Sequence, residues 1–339
     1  MNVLLTCAGR RNYLVGYFRA ALAGSGELCA ADANLNAVAL QEADRAFLVP
    51  SIEAPDYVDR IVELCREHRI GLVVSLNDLE LPILADARDR FAEVGTRLVV
   101  SSPEVVRTCF DKWETFRFLR AHGLPTPRTY LSASAALSDL ASGAITWPLV
   151  IKPRWGSASI GIEYVRDERE LELGETLLRL RLSRSILANA SVSDPEHPIL
   201  FQQCLAGQEI GIDVVNDFDG KTAAVFARRK LTMRSGETDR AETFEDARVT
   251  QLGQRLGVAL RHIGNLDCDL FLEDAGPTVM ELNPRFGGGY PFSHAAGADI
   301  PAALLAWARN ETPDPVWLRI QSGVLASKCD RLVIHRPVV

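Results

Sequence analysis

Three side chains near the carboxyl end of the chain have the types and spacing of a cation site. Asp269, Glu281 and Asn283 belong to the stretch DLFLEDAGPTVMELNPRFGGG, residues 269–289, in which two apolar runs flank the turn residues Glu273-Asp274-Ala275-Gly276-Pro277. That pattern predicts a β-hairpin. Asp269 opens its first strand, and Glu281 and Asn283 close the second with one residue between them, so a period of two points both side chains the same way. Carboxylate and amide oxygens suit a hard divalent cation, Mg²⁺ or Mn²⁺, which takes phosphate oxygens as its remaining ligands. Arg285 follows as a fork for phosphate, and Gly287-Gly288-Gly289 lets backbone come close to a ligand. A surface hairpin with solvated acids and a flexible glycine turn would satisfy the same pattern.

Further residues with chemical potential precede the hairpin. Lys152 ends the strand-like Leu149–Pro153 and is followed by Gly156-Ser157-Ala158-Ser159-Ile160-Gly161. The spacing of the two outer glycines is that of a P-loop, but Ile162 stands where a lysine is needed and a strand follows instead of a helix, which excludes a Walker site. Two strands joined by a Gly/Ser flap can instead cover a triphosphate with backbone N–H groups, with Lys152 beside them; a plain hairpin turn is the simpler alternative. The strand-like Ile199–Leu205 breaks at Ala206-Gly207, and Glu209 lies just beyond, where a carboxylate could accept ribose hydroxyls. Arg228, Arg229, Lys230 and Arg234 form the densest positive cluster in the chain; it is either a solvated face or a holder for a carboxylate substrate or its phosphate.

The elements that must position these groups follow from periodicity. Val3–Thr6 as a strand, Gly9 as a turn and a helix from about Asn12 open a doubly wound α/β unit, which Leu28–Ala31, Leu72–Ser75 and Arg97–Val100 continue as strands. The glycine turn is not GxGxxG, so a dinucleotide site is not indicated. Ligands in such sheets bind beyond the strand carboxyl ends, which makes Arg10, Arg11, Asp32, Asn77, Asp78 and Glu80 a candidate substrate rim, with turn and capping duty the alternative for Asn77 and Asp78. Pro103 starts a helix, Lys112 precedes another that stops at His122-Gly123, residues 168–182 form a third, and Thr243–His262 a fourth in which His262 is a C-terminal capping residue. Residues 183–198 form a polar connection. The tail, Pro313–Val339, reads as strands at Gly323–Ser327 and Leu332–His335.

Composition narrows the class. With 339 residues, 47% of them hydrophobic, two domains with a sizeable core are expected. A net charge of −7 argues against broad binding to nucleic acid or an anionic membrane. Seven scattered cysteines without a Cys-x-x-Cys pair suggest neither zinc nor a disulfide framework, and with no signal peptide or spanning segment a cytoplasmic location is expected. The apolar N-terminal helices could support a homodimer.

The order and spacing of Lys112, Lys152, GSASIG, QQCLAGQE and the D…ELNPR hairpin resemble the ATP-grasp superfamily, in particular its short-form carbamoyl-phosphate-synthase-like group. The similarity spans essentially the whole chain. It implies an α/β fold, α+β in part: an N-terminal doubly wound preATP-grasp domain over residues 1–104, a two-subdomain ATP-grasp domain over 105–312 with its lid at about 126–205, and C-terminal strands over 313–339. It further implies that Lys112 and Lys152 contact ATP phosphates under a flap containing Gly156, Ser157, Ser159 and Gly161. Gln203, Cys204 and Leu205 would meet the adenine and Glu209 the ribose. Asp269, Glu281 and Asn283 would hold two Mg²⁺ ions, although Asp267 shares the strand face of Asp269, and Arg285 would meet the transferred phosphate. The activity implied is an ADP-forming carboxylate–amine ligation of small molecules. With one ATP-using unit and no amidotransferase, a complete carbamoyl phosphate synthase is not expected. A kinase-like enzyme or a non-catalytic ATP sensor are the alternatives.

Overall fold

The computed structural model describes residues 1–156, 161–185 and 187–335. Ser157 and Ser159 of the flap therefore lie outside the described residues, as does the end of the tail.

The first 100 residues form a parallel sheet. Its strands are β1 (Asn2–Thr6), β2 (Leu28–Asp32), β3 (Arg45–Leu48), β4 (Ile70–Ser75) and β5 (Arg97–Val99), in the order β3-β2-β1-β4-β5. Both faces are covered, as continuous apolar strands such as Leu72-Val73-Val74 require. The helices Asn12–Leu22 and Tyr57–Glu67 bury Leu14, Val15, Phe18, Ile61 and Leu64 against this sheet. Their apolar residues are thus committed to the core. The strand order reverses between β1 and β4, and a crevice at their carboxyl ends is the expected ligand position.

A four-stranded antiparallel sheet follows, built from β6 (Thr129–Tyr130), β7 (Leu149–Pro153), β8 (Glu163–Val165) and β9 (Ile199–Gln203) in the order β6-β9-β7-β8. Alternation along β7 sends Leu149 and Ile151 into the core with the helix Glu168–Leu182. Lys152 takes the opposite face.

The largest sheet has six strands: β10 (Gln208–Asn216), β11 (Thr222–Arg234), β12 (Glu237–Phe244), β13 (Gly264–Glu273), β14 (Gly276–Asn283) and β15 (Leu325–Ser327), ordered β14-β13-β10-β11-β12-β15. One face packs on the helix Ala247–Leu260 through Val249, Leu252 and Leu256. The expected hairpin is β13–β14. Its register places Asp269 opposite Glu281 and Asp267 opposite Asn283, then shifts between Asp269 and Leu270. This bulge gives β14 one extra residue, Met280, so Val279 and Leu282 both reach the core while Glu281 and Asn283 remain on the other face.

Several expectations are corrected. The basic cluster is neither loop nor helix: β11 runs through all of it and pairs with β12, so residues 243–246 precede the expected helix, which begins at Ala247 and not at Thr243. His262 does not cap that helix: Arg261 ends it in the left-handed conformation, and His262 is fully buried, donating from Nε2 to the Val214 carbonyl at 2.9 Å. In the tail β15 forms, but Leu332–His335 does not, and Leu332 and Ile334 are exposed. Without a neighbouring strand edge, an apolar run of three residues, Leu332-Val333-Ile334, gains nothing from extension.

Candidate nucleotide and metal site

Lys112 reaches the site because of where its helix starts. Asp111 caps the helix Lys112–Ala121 by accepting from Trp113 N at 2.9 Å, and the same carboxylate takes the Arg154 guanidinium at 2.7 and 2.8 Å. Lys112 N donates to the Arg154 carbonyl at 3.1 Å, which pins the first helical turn to the end of β7. Lys112 Nζ then lies 3.2 Å from Glu281 Oε1 and donates to the Gly156 carbonyl. Gly156 has φ +100°, which glycine accommodates, and Gly161 beyond the flap has φ +72°.

Lys152 stands on the adjoining face with 5% of its surface exposed and donates to Gln202 Oε1 at 2.8 Å. Burial, and then the charge of Lys112, lower its pKa to about 8. Two converging lysines, one of them poorly solvated, form a site that favours a polyanion. Burial also acts against the charge of Lys230, but Asp269 and Glu209 outweigh it and raise its pKa; its Nζ lies 2.6 Å from each. Each acid of the expected metal set thus faces a lysine, Glu281 through Lys112 and Asp269 through Lys230. Asp269 is held below the usual carboxylate range because Lys230 and Arg228 outweigh its burial.

Asp267 differs from Asp269 in its partners. Its Oδ1 accepts from Arg228 Nη2 at 2.6 Å, its Oδ2 lies 3.5 Å from Arg285 Nη1, and a methyl added at Gly287 would sit 2.0 Å from its carboxyl carbon. Among the described residues no group of three or more His, Cys, Asp or Glu side chains has metal-holding geometry. Two carboxylates and an amide oxygen nevertheless fit Mg²⁺ that completes its shell with phosphate oxygens.

The residues expected to meet adenine and ribose lie where the four-stranded sheet passes into the six-stranded one. Gln203 closes β9, with its N–H donating to the Arg128 carbonyl at 2.9 Å; Cys204 and Leu205 follow, and Glu209 is the second residue of β10. Tyr164, on the solvent-facing side of β8, is 56% exposed, with Cys204 and Glu209 as neighbours. Sequence reasoning missed it, although alternation around Val165 marks its face. Lys230 was obscured in the same way, as one cation among several, until β11 was known to continue.

Other expected residues lie elsewhere. Arg228 is fully buried between Asp213 and Asp267, 2.6 Å from each, and does not offer its charge to a substrate. Arg229 points to the opposite side of β11 and stacks on Phe244 at 4.0 Å, as period two requires. Arg234 is half exposed at the far end of β11 and bound to Asp239 and Asp330, away from the lysines. Glu80 is fully buried, accepting from Thr6, Tyr57 and Ser75 at 2.6 to 2.9 Å, and burial raises its pKa, so it holds the loop after β4 instead of lining a rim. Arg10 is exposed and its charge reaches Glu237 and Asp330.

Asp78 and Arg285 join the two halves of the molecule. Arg285 Nη2 donates to Asp78 Oδ2 at 2.7 Å and Nη1 to the Phe286 carbonyl at 3.1 Å. Arg11 donates to the same carbonyl, and Tyr13 OH lies 3.5 Å from the Gly287 carbonyl. The crevice between β1 and β4 therefore opens onto the glycine loop.

Comparison with known proteins agrees with this fold. Residues 3–99 match a family model for a PylC-like N-terminal domain, and residues 195–328 match one described as ATP-grasp in the biosynthetic pathway with Ter operon. The biotin carboxylase domain of Hydrogenobacter thermophilus 2-oxoglutarate carboxylase, determined as a dimer with MgADP, ADP and bicarbonate, is similar at 17% identity and TM-score 0.72, covering 92% of this chain and 70% of that one. Campylobacter jejuni biotin carboxylase in complex with β-γ-ATP gives 15% and 0.73, covering 94% and 73%. Bacillus licheniformis L-amino acid ligase gives 19% and 0.68, covering 92% and 76%. The strand orders, the acid-bearing hairpin and the matched family models lead to one conclusion: the chain has the ATP-grasp fold, with a match to an ATP-grasp family over residues 195–328 and to a PylC-like N-terminal domain over residues 3–99.

Proposed function

We propose that the protein is an ATP-dependent carboxylate–amine ligase that works through an acyl phosphate and releases ADP and phosphate. The observation that carries this reading is the convergence of Lys112, Lys152 and Arg285 on the Asp269–Glu281–Asn283 face. Cations and metal-binding acids meet there beside a strand end suited to a nucleotide. The likeness to an L-amino acid ligase supports amino acids or other small carboxylates as the substrate class.

In this reading Lys112 and Lys152 hold ATP phosphates, Gly156 and Gly161 hinge the flap, the backbone of Gln203 to Leu205 faces adenine, and Glu209 takes the ribose. Asp269, Glu281 and Asn283 would hold Mg²⁺, which lowers the repulsion between two anions and stabilises charge on the transferred phosphoryl group. A substrate carboxylate oxygen attacks the γ-phosphorus, the bond to the β-phosphate oxygen breaks, and ADP leaves. Arg285 holds the acyl phosphate. The amine nitrogen then bonds to the acyl carbon, inorganic phosphate leaves, and the nitrogen loses a proton. The buried setting of Lys152 and Arg285 excludes the water that would hydrolyse the intermediate. Domain limits of 1–104, 105–312 and 313–339, with the lid at about 126–205, suit this division of labour.

The test is incubation with Mg·ATP and pooled amino acids and small carboxylates, resolving nucleotides by chromatography and products by mass spectrometry. ADP with a new condensed mass is expected. ADP with a phosphorylated acceptor and no condensation would instead establish a kinase-like enzyme.

A further inference from the structure

The helix Glu168–Leu182 buries one leucine stripe and exposes a second. Leu171, Leu178 and Leu182 lie in the core of the four-stranded sheet, while Leu173, Leu177 and Leu180 are 54%, 42% and 47% exposed. Their spacing of four and then three residues puts them on a single face, as in the seam of a helix pair. Scattered surface leucines need no explanation, but three in register on one face leave a contiguous apolar strip in water.

Charge along the same helix is segregated. Glu168, Glu170, Glu172 and Glu175 lie in its first half, with Arg169 the exception, and Arg179, Arg181 and Arg184 lie at and beyond its second half. Exposed pairs such as Arg169–Glu172 at 2.9 Å and Arg181–Glu163 at 2.7 Å leave both charges in contact with solvent. Acids at the start and bases at the end suit the helix dipole, which accounts for the charges but not for the leucines.

We propose that this face is the contact between two copies of the chain, packed antiparallel about a two-fold axis at Leu177. In that arrangement Leu177 meets its own counterpart, Leu173 meets Leu180 of the second copy, and Glu170 meets Arg184 of the second copy. Glu170 and Arg184 lie seven residues on either side of Leu177, and Leu173 and Leu180 lie four and three residues from it, so the acidic half of each helix lies on the basic half of the other. A parallel pair would place acid on acid. A helix of 15 residues is about 22 Å long, so the contact is small beside the roughly 1,200 to 2,000 Å² of a stable interface and the association is concentration-dependent. The surface belongs to the element that backs Lys152 and is separate from the nucleotide cleft, so the inference stands whatever the enzyme's substrates are.

The experiment uses the full chain in a Cys329→Ser background, because Cys329 is exposed. Leu177→Cys should give a disulfide-linked dimer under mild oxidation. Leu173→Cys should link far less, since the two copies of position 173 would lie about 12 Å apart along the axis, beyond disulfide reach. Sedimentation velocity should show reversible dimerisation that Leu177→Glu abolishes, with its circular dichroism spectrum and ATP turnover unchanged. Glu170→Arg and Arg184→Glu should each weaken self-association, and an equimolar mixture of the two variants should restore it as a heterodimer. A chain that stays monomeric at every concentration and forms no Leu177→Cys link would overturn the proposal. Equal linking at positions 173 and 177 would overturn the antiparallel geometry.

Discussion

At the scale of single residues, the proposed role of Lys152 at the ATP phosphates predicts a pH response of nucleotide binding. Its pKa, lowered to about 8 by burial and by Lys112, means that the free protein loses this positive charge as pH rises through that value. Affinity for ATP, measured by calorimetry, is expected to fall between about pH 7 and about pH 9, and Lys152→Arg, which stays charged, should flatten the fall. Glu281→Gln removes one of the two carboxylates facing each other across the hairpin and is expected to abolish Mg·ATP turnover; unchanged turnover would refute the metal assignment. Arg228 makes a contrasting prediction. Its replacement by Leu strands Asp213 and Asp267 as buried charges, so thermal unfolding should show a loss of about 3 to 5 kcal/mol, and a folded variant with only a raised substrate requirement would contradict the structural role.

Among the elements, the β13–β14 hairpin decides which acids share a face. It was legible from sequence because two apolar runs and the Asp274-Ala275-Gly276 turn are local signals, and Glu281 and Asn283 obey a period of two in any register. Its bulge at Met280 was not legible, because it arises from core packing of Val279 and Leu282 against distant helices. β12 was missed for a related reason: ETDRAETF has few apolar residues and becomes a strand by pairing with β11 and β15. That omission left Arg228, Arg229, Lys230 and Arg234 looking like one cluster, whereas strand alternation and distance give them separate surroundings. The loop after the hairpin can be tested directly. A methyl at Gly289 would sit 2.1 Å from Arg228 Nε, so Gly289→Ala should lower thermal stability by roughly 1 to 3 kcal/mol. A variant as stable as the parent would show that the loop does not press on Arg228.

Across the whole molecule, the parallel sheet contributes to the site as well as supporting it. Asp78, Arg11 and Tyr13 all come from loops or helix starts at the β1/β4 switch point, and they hold Arg285 and the backbone of Phe286 and Gly287. The sequence suggested this rim through strand carboxyl ends, but which members face inward, such as Glu80, depended on tertiary packing. Asp78→Asn keeps the shape and removes the negative charge that pairs with Arg285, so kcat should fall more than tenfold while affinity for ATP changes little; equal losses in both would assign Asp78 to nucleotide binding. Stability has its own pH signature. Burial lowers the pKa of His262 from 6.5 to about 4, against the opposing hydrogen bond to Val214. Its contribution is complete above the unfolded value and is lost as pH falls toward the folded one, amounting to about 3 kcal/mol over that window. Thermal unfolding should show this loss between about pH 6.5 and about pH 4, reduced in His262→Gln.

In the proposed reaction a substrate carboxylate is phosphorylated before the amine arrives. The direct measurement supplies a pool of amino acids labelled with ¹⁸O in their carboxylates, together with Mg·ATP, and records the mass of the released phosphate after turnover. Attack by the carboxylate on the γ-phosphorus transfers one labelled oxygen, so inorganic phosphate carrying a single ¹⁸O is expected in step with amide formation. Amide formation with wholly unlabelled phosphate would contradict the acyl phosphate and, with it, the roles given to Arg285 and the metal-binding face.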